Sequence, residues 1–216
     1  MRLEAVHEII NQAKAVEFRS RYLQRTLTTQ SWQLPELISV DADPAAPQLL
    51  NFIIDYIELA PQTLACIANS AKRVGLDYLF QPFLQTAMDY FMRPAIILNF
   101  NTGLDGLMIR AYQCHRLIEE LYENNRSLRN SKICELESTQ ANLLVHHLIG
   151  EPFANEIDES VIYTMSKLVR MPEYYNLDLA HYIESAWGHD WQQLSQRWQR
   201  LLAKHQIHFN LYLRLV

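Results

Sequence analysis

The chain has 216 residues, 49% hydrophobic and 20% charged, with a formal net charge of −5 and only 5 glycines. Glycine at about 2%, against a usual ~7%, argues against glycine-rich phosphate loops and a hairpin-rich fold. Three widely spaced cysteines, Cys66, Cys114 and Cys134, argue against a disulfide frame, and neither half of the chain is basic enough for phosphate-backbone binding.

The expectation is therefore an all-α, single-domain bundle of about seven to nine helices over residues 1–216, with its weakest internal boundary near 124–137. Reduced cysteines and an N-terminus carrying Arg2, Glu4 and Glu8 point to a soluble, cytoplasmic protein without a leader. Leu59–Ala71 and Ser138–Gly150 are the longest uncharged stretches, shorter than the roughly 20 apolar residues of a membrane span. The partners expected on these grounds include neither nucleic acid nor a membrane span.

In chain order, Leu3–Thr28 places Ile9, Ala13, Val16, Leu23 and Leu27 at helical spacing, predicting one long amphipathic helix. Gln30–Val40 breaks the pattern, and Asp43-Pro44 predicts the next helix start, a capping carboxylate followed by proline. That helix, running to Ala60, is apolar on most sides and is expected near the centre. Pro61 predicts a kink or restart, since it removes a hydrogen bond, and Gly75 a stop.

Asp77–Met92 reads as a helix around Pro82, and Arg93–Asn101 as a loop with an apolar plug. Thr102 and Asp105 suggest a capping box for a helix whose stripe is Leu104, Met108, Ala111, His115, Ile118 and Tyr122. Asn124–Glu137 reads as loop with one helical turn. Ser138–Ile149 reads as a helix closed by Gly150, restarted by Pro152 through Arg170 with Phe153, Ile157, Val161 and Leu168 inward. Leu177–Trp187 and Trp191–Lys204 complete the helices, separated by Gly188.

The tail differs. Ile207, Phe209, Leu211, Leu213 and Leu215 alternate with His208, Asn210, Tyr212 and Arg214, the period of a strand with one buried face. A strand needs a partner, and the candidates are Leu34–Val40 or the same tail of a second copy. Helical continuation is the alternative.

Seven of the eight histidines follow residue 108. Two pairs at four-residue spacing, His115 with Glu119 and His147 with Glu151, share a helix face and offer an imidazole and a carboxylate to a transition metal. Carboxylate-bridged di-iron bundles instead use Glu-x-x-His twice plus two further glutamates. Only Glu4–His7 has that spacing here, so the full set is absent. The plainer reading of His115 is a core histidine bonded to a neighbour, and of His147 and Glu151 a surface pair beside the Gly150–Pro152 break.

Cys114 and His115 are sequence neighbours, which diverge on a helix, so they do not make a nucleophile and base. The glycine-containing start Asn101–Gly106 offers free amides to an anion, or simply a capped loop. Trp191, Leu194, Trp198, Leu201 and His205 form one stripe, flanked by Arg197, Arg200 and Lys204, which suit an acidic partner or surface. The sequence favours a ligand-binding or protein-interaction module without catalysis, self-associating through its C-terminal segment, with room for a small apolar ligand between helices. The alternative is a metal-dependent enzyme, non-haem iron or haem-linked, built on His115, Glu119, His147 and Glu151.

Overall fold

The computed structural model describes residues 3–92, 103–129, 138–168, 179–186 and 188–210. They form an all-α domain with one short two-stranded antiparallel sheet. The helices are α1 (Leu3–Ser20), α2 (Tyr22–Gln30), α3 (Ala46–Arg73), α4 (Asp77–Met92) and α5 (Leu104–Glu123). They continue with α6 (Arg126–Arg129), α7 (Ser138–Ile149), α8 (Phe153–Leu168), α9 (Ala180–Ala186) and α10 (His189–Lys204). The strands are β1 (Ile38–Val40) and β2 (Ile207–Phe209).

Two helices organise the rest. α3 packs against α1, α2, α4, α5, α9 and α10, while α5 packs against α1, α3, α4, α6, α7 and α8. Fifteen of the 20 residues of α5 are buried, including Arg110, Gln113 and His115. The sequence points to the segment ending at Ala60 as the central one. The structure gives α5 the more enclosed place, because helices cover it on several sides.

The first expected helix is two helices. Arg21, at φ 49 and ψ 32, is left-handed and divides α1 from α2. The Glu17 carboxylate then accepts from the backbone amides of Leu23 and Gln24, both at 3.0 Å. Glu17 thereby satisfies donors that the first turn of α2 leaves open. The inward face of α1 is Val6, Ile10, Ala13 and Glu17, so Val16 is exposed. A break that closes the chain on itself through a glutamate leaves the apolar spacing almost unchanged, which hides it from periodicity.

Pro61 does not restart the chain. It lies buried inside the continuous 28-residue α3. The missing proline amide withdraws the helical donor from the Ile57 carbonyl, and side-chain bonds fall on carbonyls to either side of it. His115 Nε2 bonds the Tyr56 carbonyl oxygen at 3.0 Å, and Thr63 Oγ1 donates to the Leu59 carbonyl at 2.9 Å. The start of α3 also falls later than Asp43-Pro44, at Ala46, with Pro47 in the first turn. Pro47 meets the same first-turn rule as Pro44, since its missing amide would have had no intrahelical acceptor.

Gly75 ends α3 as expected. At φ 71 it allows the Leu76 amide to donate back to the Ala71 carbonyl at 2.8 Å, a Schellman-type closure. α4 and α7 match the expected spans, and α8 starts at Phe153 with Ala154, Ile157, Val161 and Met165 buried. α5 starts at Leu104 after Gly103, which supplies no side-chain cap. The expected apolar plug at Arg93–Asn101, the capping residue Thr102 and the end of the helix at Arg170 lie outside the described residues.

The C-terminal strand finds its partner inside the chain. Ile38, Ser39 and Val40 pair with Phe209, His208 and Ile207, and α10 covers β2. Flanking bonds run from the Asp41 amide to the Gln206 carbonyl and from the Asn210 amide to the Leu37 carbonyl. Residues 211–216 lie outside the described residues.

Candidate functional site

Three polar constellations surround the two central helices. The first is enclosed. His115 lies 2% exposed, its ring edge-on to Tyr56 and Trp198 with centroids 4.5 and 4.8 Å away. A carbonyl only accepts, so the bond to Tyr56 requires the proton on Nε2. Burial pushes the imidazole pKa down to about 4, against the raising effect of that bond. The histidine is therefore neutral at neutral pH. Tyr56 donates its hydroxyl to Asn142 Oδ1 at 2.6 Å, tying α3 to α7.

The second is a half-buried charged network joining α5, α7 and α8. Arg116 pairs with Glu119, with Glu120 at 3.5 Å and with Asp158 at 3.0 Å. Asp158 also accepts from the Tyr112 hydroxyl at 2.8 Å and lies 3.5 Å from His146 Nε2. Glu119 Oε1 accepts from Ser138 Oγ at 2.8 Å. Burial and the adjacent carboxylate raise Tyr112, and burial raises Glu120 despite Arg116. The Arg116 guanidinium, although desolvated, is held more firmly protonated by Glu119 and Asp158. This is a helix-to-helix clasp whose groups engage one another.

The third is open to solvent. Asp55, Leu59, Gln193, Gln196, Arg197, Arg200, Leu201 and Lys204 line a groove of about 340 Å³ between α3 and α10. The α10 stripe Trp191, Leu194, Trp198 and Leu201 is buried, which turns the intervening Arg197 and Arg200 outward. Asp55 accepts from Lys204 at 2.5 Å and from His205 Nε2 at 2.7 Å. Burial works to raise the Asp55 pKa, but those bonds hold it at about 2. Arg197 contacts the neutral Gln62 amide oxygen. Among the described residues, neither Arg197 nor Arg200 has a carboxylate partner.

No protein-family model matches the chain. No curated protein and no solved structure matches it either.

The four residues paired in the sequence are not brought together. His115 faces α3 and α10, whereas Glu119 is engaged by Arg116 and Ser138. His147 Nε2 bonds the Gln33 carbonyl at 3.1 Å, and Glu151 is exposed in the turn after α7. Among the described residues, no group of three or more His, Cys, Asp or Glu side chains could hold a metal ion. Cys114 is buried and donates to the Ala87 carbonyl at 3.2 Å, with burial raising its pKa well above the usual thiol value. At the start of α5, the Asp105 carboxylate lies so close to Gly103 that a Cβ there would meet it at 2.7 Å.

Sequence reasoning missed Asp55 with His205 and Asp158 with Arg116. Each pair joins different helices, and no local spacing marks it. The signal available for the groove was the cationic run Arg197, Arg200 and Lys204 beside an apolar stripe.

Proposed function

We propose that the chain is a binding module without catalysis, and that the α3–α10 groove receives the anionic group of a ligand or partner. The observation that carries this reading is the pair Arg197 and Arg200, set over a groove without carboxylate partners among the described residues. The lining carboxylate, Asp55, is already held by Lys204 and His205. Guanidinium forks bind carboxylate and phosphate oxygens in pairs, and Gln193 and Gln196 add amide donors. The groove volume falls within the range of small-ligand sites, about 300–1,000 Å³.

Calorimetric titration with inorganic pyrophosphate and with citrate tests the reading. Saturable binding is expected, weakened at least about tenfold by Arg197→Gln with Arg200→Gln, since two charge-assisted contacts are removed. Absence of binding to both anions, or binding indifferent to the double substitution, refutes it. Self-association through the C-terminal segment belongs to the same reading. Among the described residues, β1 and β2 pair only with each other, and a strand from a second copy would extend this two-stranded sheet at one of its edges. Light scattering of the full chain beside one ended at Gln206 tests that part.

A further inference from the structure

We infer that the α1–α2 corner is a docking surface for an anionic lipid bilayer. From Phe18 to Pro35 the sequence contains Arg19, Arg21 and Arg25 and no acidic residue. The carboxylate just before this stretch, Glu17, is buried and bonded to the amides of Leu23 and Gln24, and it makes no ion pair with the corner arginines among the described residues. The corner guanidiniums bond backbone carbonyls: Arg19 to Ala15, and Arg25 to Arg21 and Ser20. Among the described residues none of the three arginines pairs with a carboxylate.

Large apolar groups stand beside these charges. Phe18 is 85% exposed and Tyr22 57% exposed, on either side of the left-handed Arg21. The inward needs of the corner are already met by Glu17, Leu23 and Leu27, so packing gives no reason for a phenylalanine here. Aromatic rings flanked by cations are the composition that settles at the headgroup level of a bilayer. Trp32, also 85% exposed, lies just beyond the other end of α2.

The charge pattern along α1 selects a surface over a rod-like polyanion. Glu4 and Glu8 are exposed on its first half, and even the nearer, Glu8, is roughly 16 Å along the axis from Arg19 at 1.5 Å per residue. That separation is about twice the physiological screening length, so a membrane touching the corner is hardly repelled by them. A nucleic acid or a long acidic chain lying along α1 would run into both.

Vesicle co-sedimentation of the full chain tests the inference. Vesicles of phosphatidylcholine with about a third phosphatidylserine should bind it, and pure phosphatidylcholine should not, because each arginine near an anionic surface contributes about fivefold. Arg19→Gln, Arg21→Gln and Arg25→Gln together should weaken binding about a hundredfold, and Phe18→Ser about tenfold. These side chains are exposed, so thermal unfolding should show all variants folded. Binding should also blue-shift the Trp32 emission, a change lost in Trp32→Phe. No binding to the anionic vesicles overturns the inference, as does binding unchanged by the arginine substitutions. Equal binding to polyglutamate or DNA, with Phe18→Ser as tight as the native chain, overturns it in favour of an acidic macromolecule.

Discussion

Replacing His115 by phenylalanine should destabilise the protein at about pH 7.5 and stabilise it at about pH 5. In the folded chain burial lowers the imidazole pKa from 6.5 to about 4. Between those values the unfolded chain binds the extra proton and the folded chain does not, so stability falls as pH falls through the window. The full shift corresponds to about 3 kcal/mol, of which about 2 kcal/mol is lost by about pH 5. Phenylalanine keeps a ring against Tyr56 and Trp198 but loses the bond to the Tyr56 carbonyl, worth about 1 kcal/mol. The native chain should therefore lead by about 1 kcal/mol at neutral pH and trail by about 1 kcal/mol near pH 5. Urea unfolding of both chains, followed by far-ultraviolet circular dichroism across this range, measures the difference directly. Glu120, whose raised pKa acts in the opposite direction, is common to both chains and largely cancels. A difference that stays constant from about pH 7.5 to pH 4.5 would mean that the ring titrates alike in both states and that burial does not hold it neutral.

Arg116→Ala leaves Glu119, Glu120 and Asp158 without their shared cation at side-chain exposures of 13–23%, and about 2 kcal/mol should be lost, between surface and buried limits; chemical unfolding at low and high salt measures it. Gly75→Ala keeps open space around the new methyl but places it at φ 71, so a loss of about 1 kcal/mol is expected, read as a lower unfolding midpoint. Ending the chain at Gln206 removes β2 and the buried Ile207, which should lower stability by about 2 kcal/mol as measured by urea unfolding. Elemental analysis of untagged protein should find less than about a tenth of an equivalent of transition metal; stoichiometric metal lost in His115→Phe would instead support the metal-dependent alternative.

The helical spans were legible because each rests on local causes. Asp77–Met92 and Ser138–Ile149 carry their own periodicity, and Gly75 and Gly150 take the left-handed conformation that ends a helix. Arg21 takes the same conformation without the residue type that announces it. The break at this position rests on Glu17 reaching past it to two amides, a contact visible only in three dimensions. Pro61 shows the converse, a strong local signal overruled because α3 is packed on many sides around it.

The candidate sites divide in the same way. The i, i+4 spacing correctly puts His115 and Glu119 on one helix, but α5 is enclosed so fully that neighbouring helices engage them separately. Helix content, most helix ends and the cationic flank of the last helix follow from residue spacing and backbone preference alone. The choice of β1 as partner for β2, the Asp55–His205 and Asp158–Arg116 pairs, and the identity of the central helix belonged to the tertiary structure. Their partners are far apart in sequence, and the packing of the last helix on α3 and of α8 on α5 brings them within bonding distance.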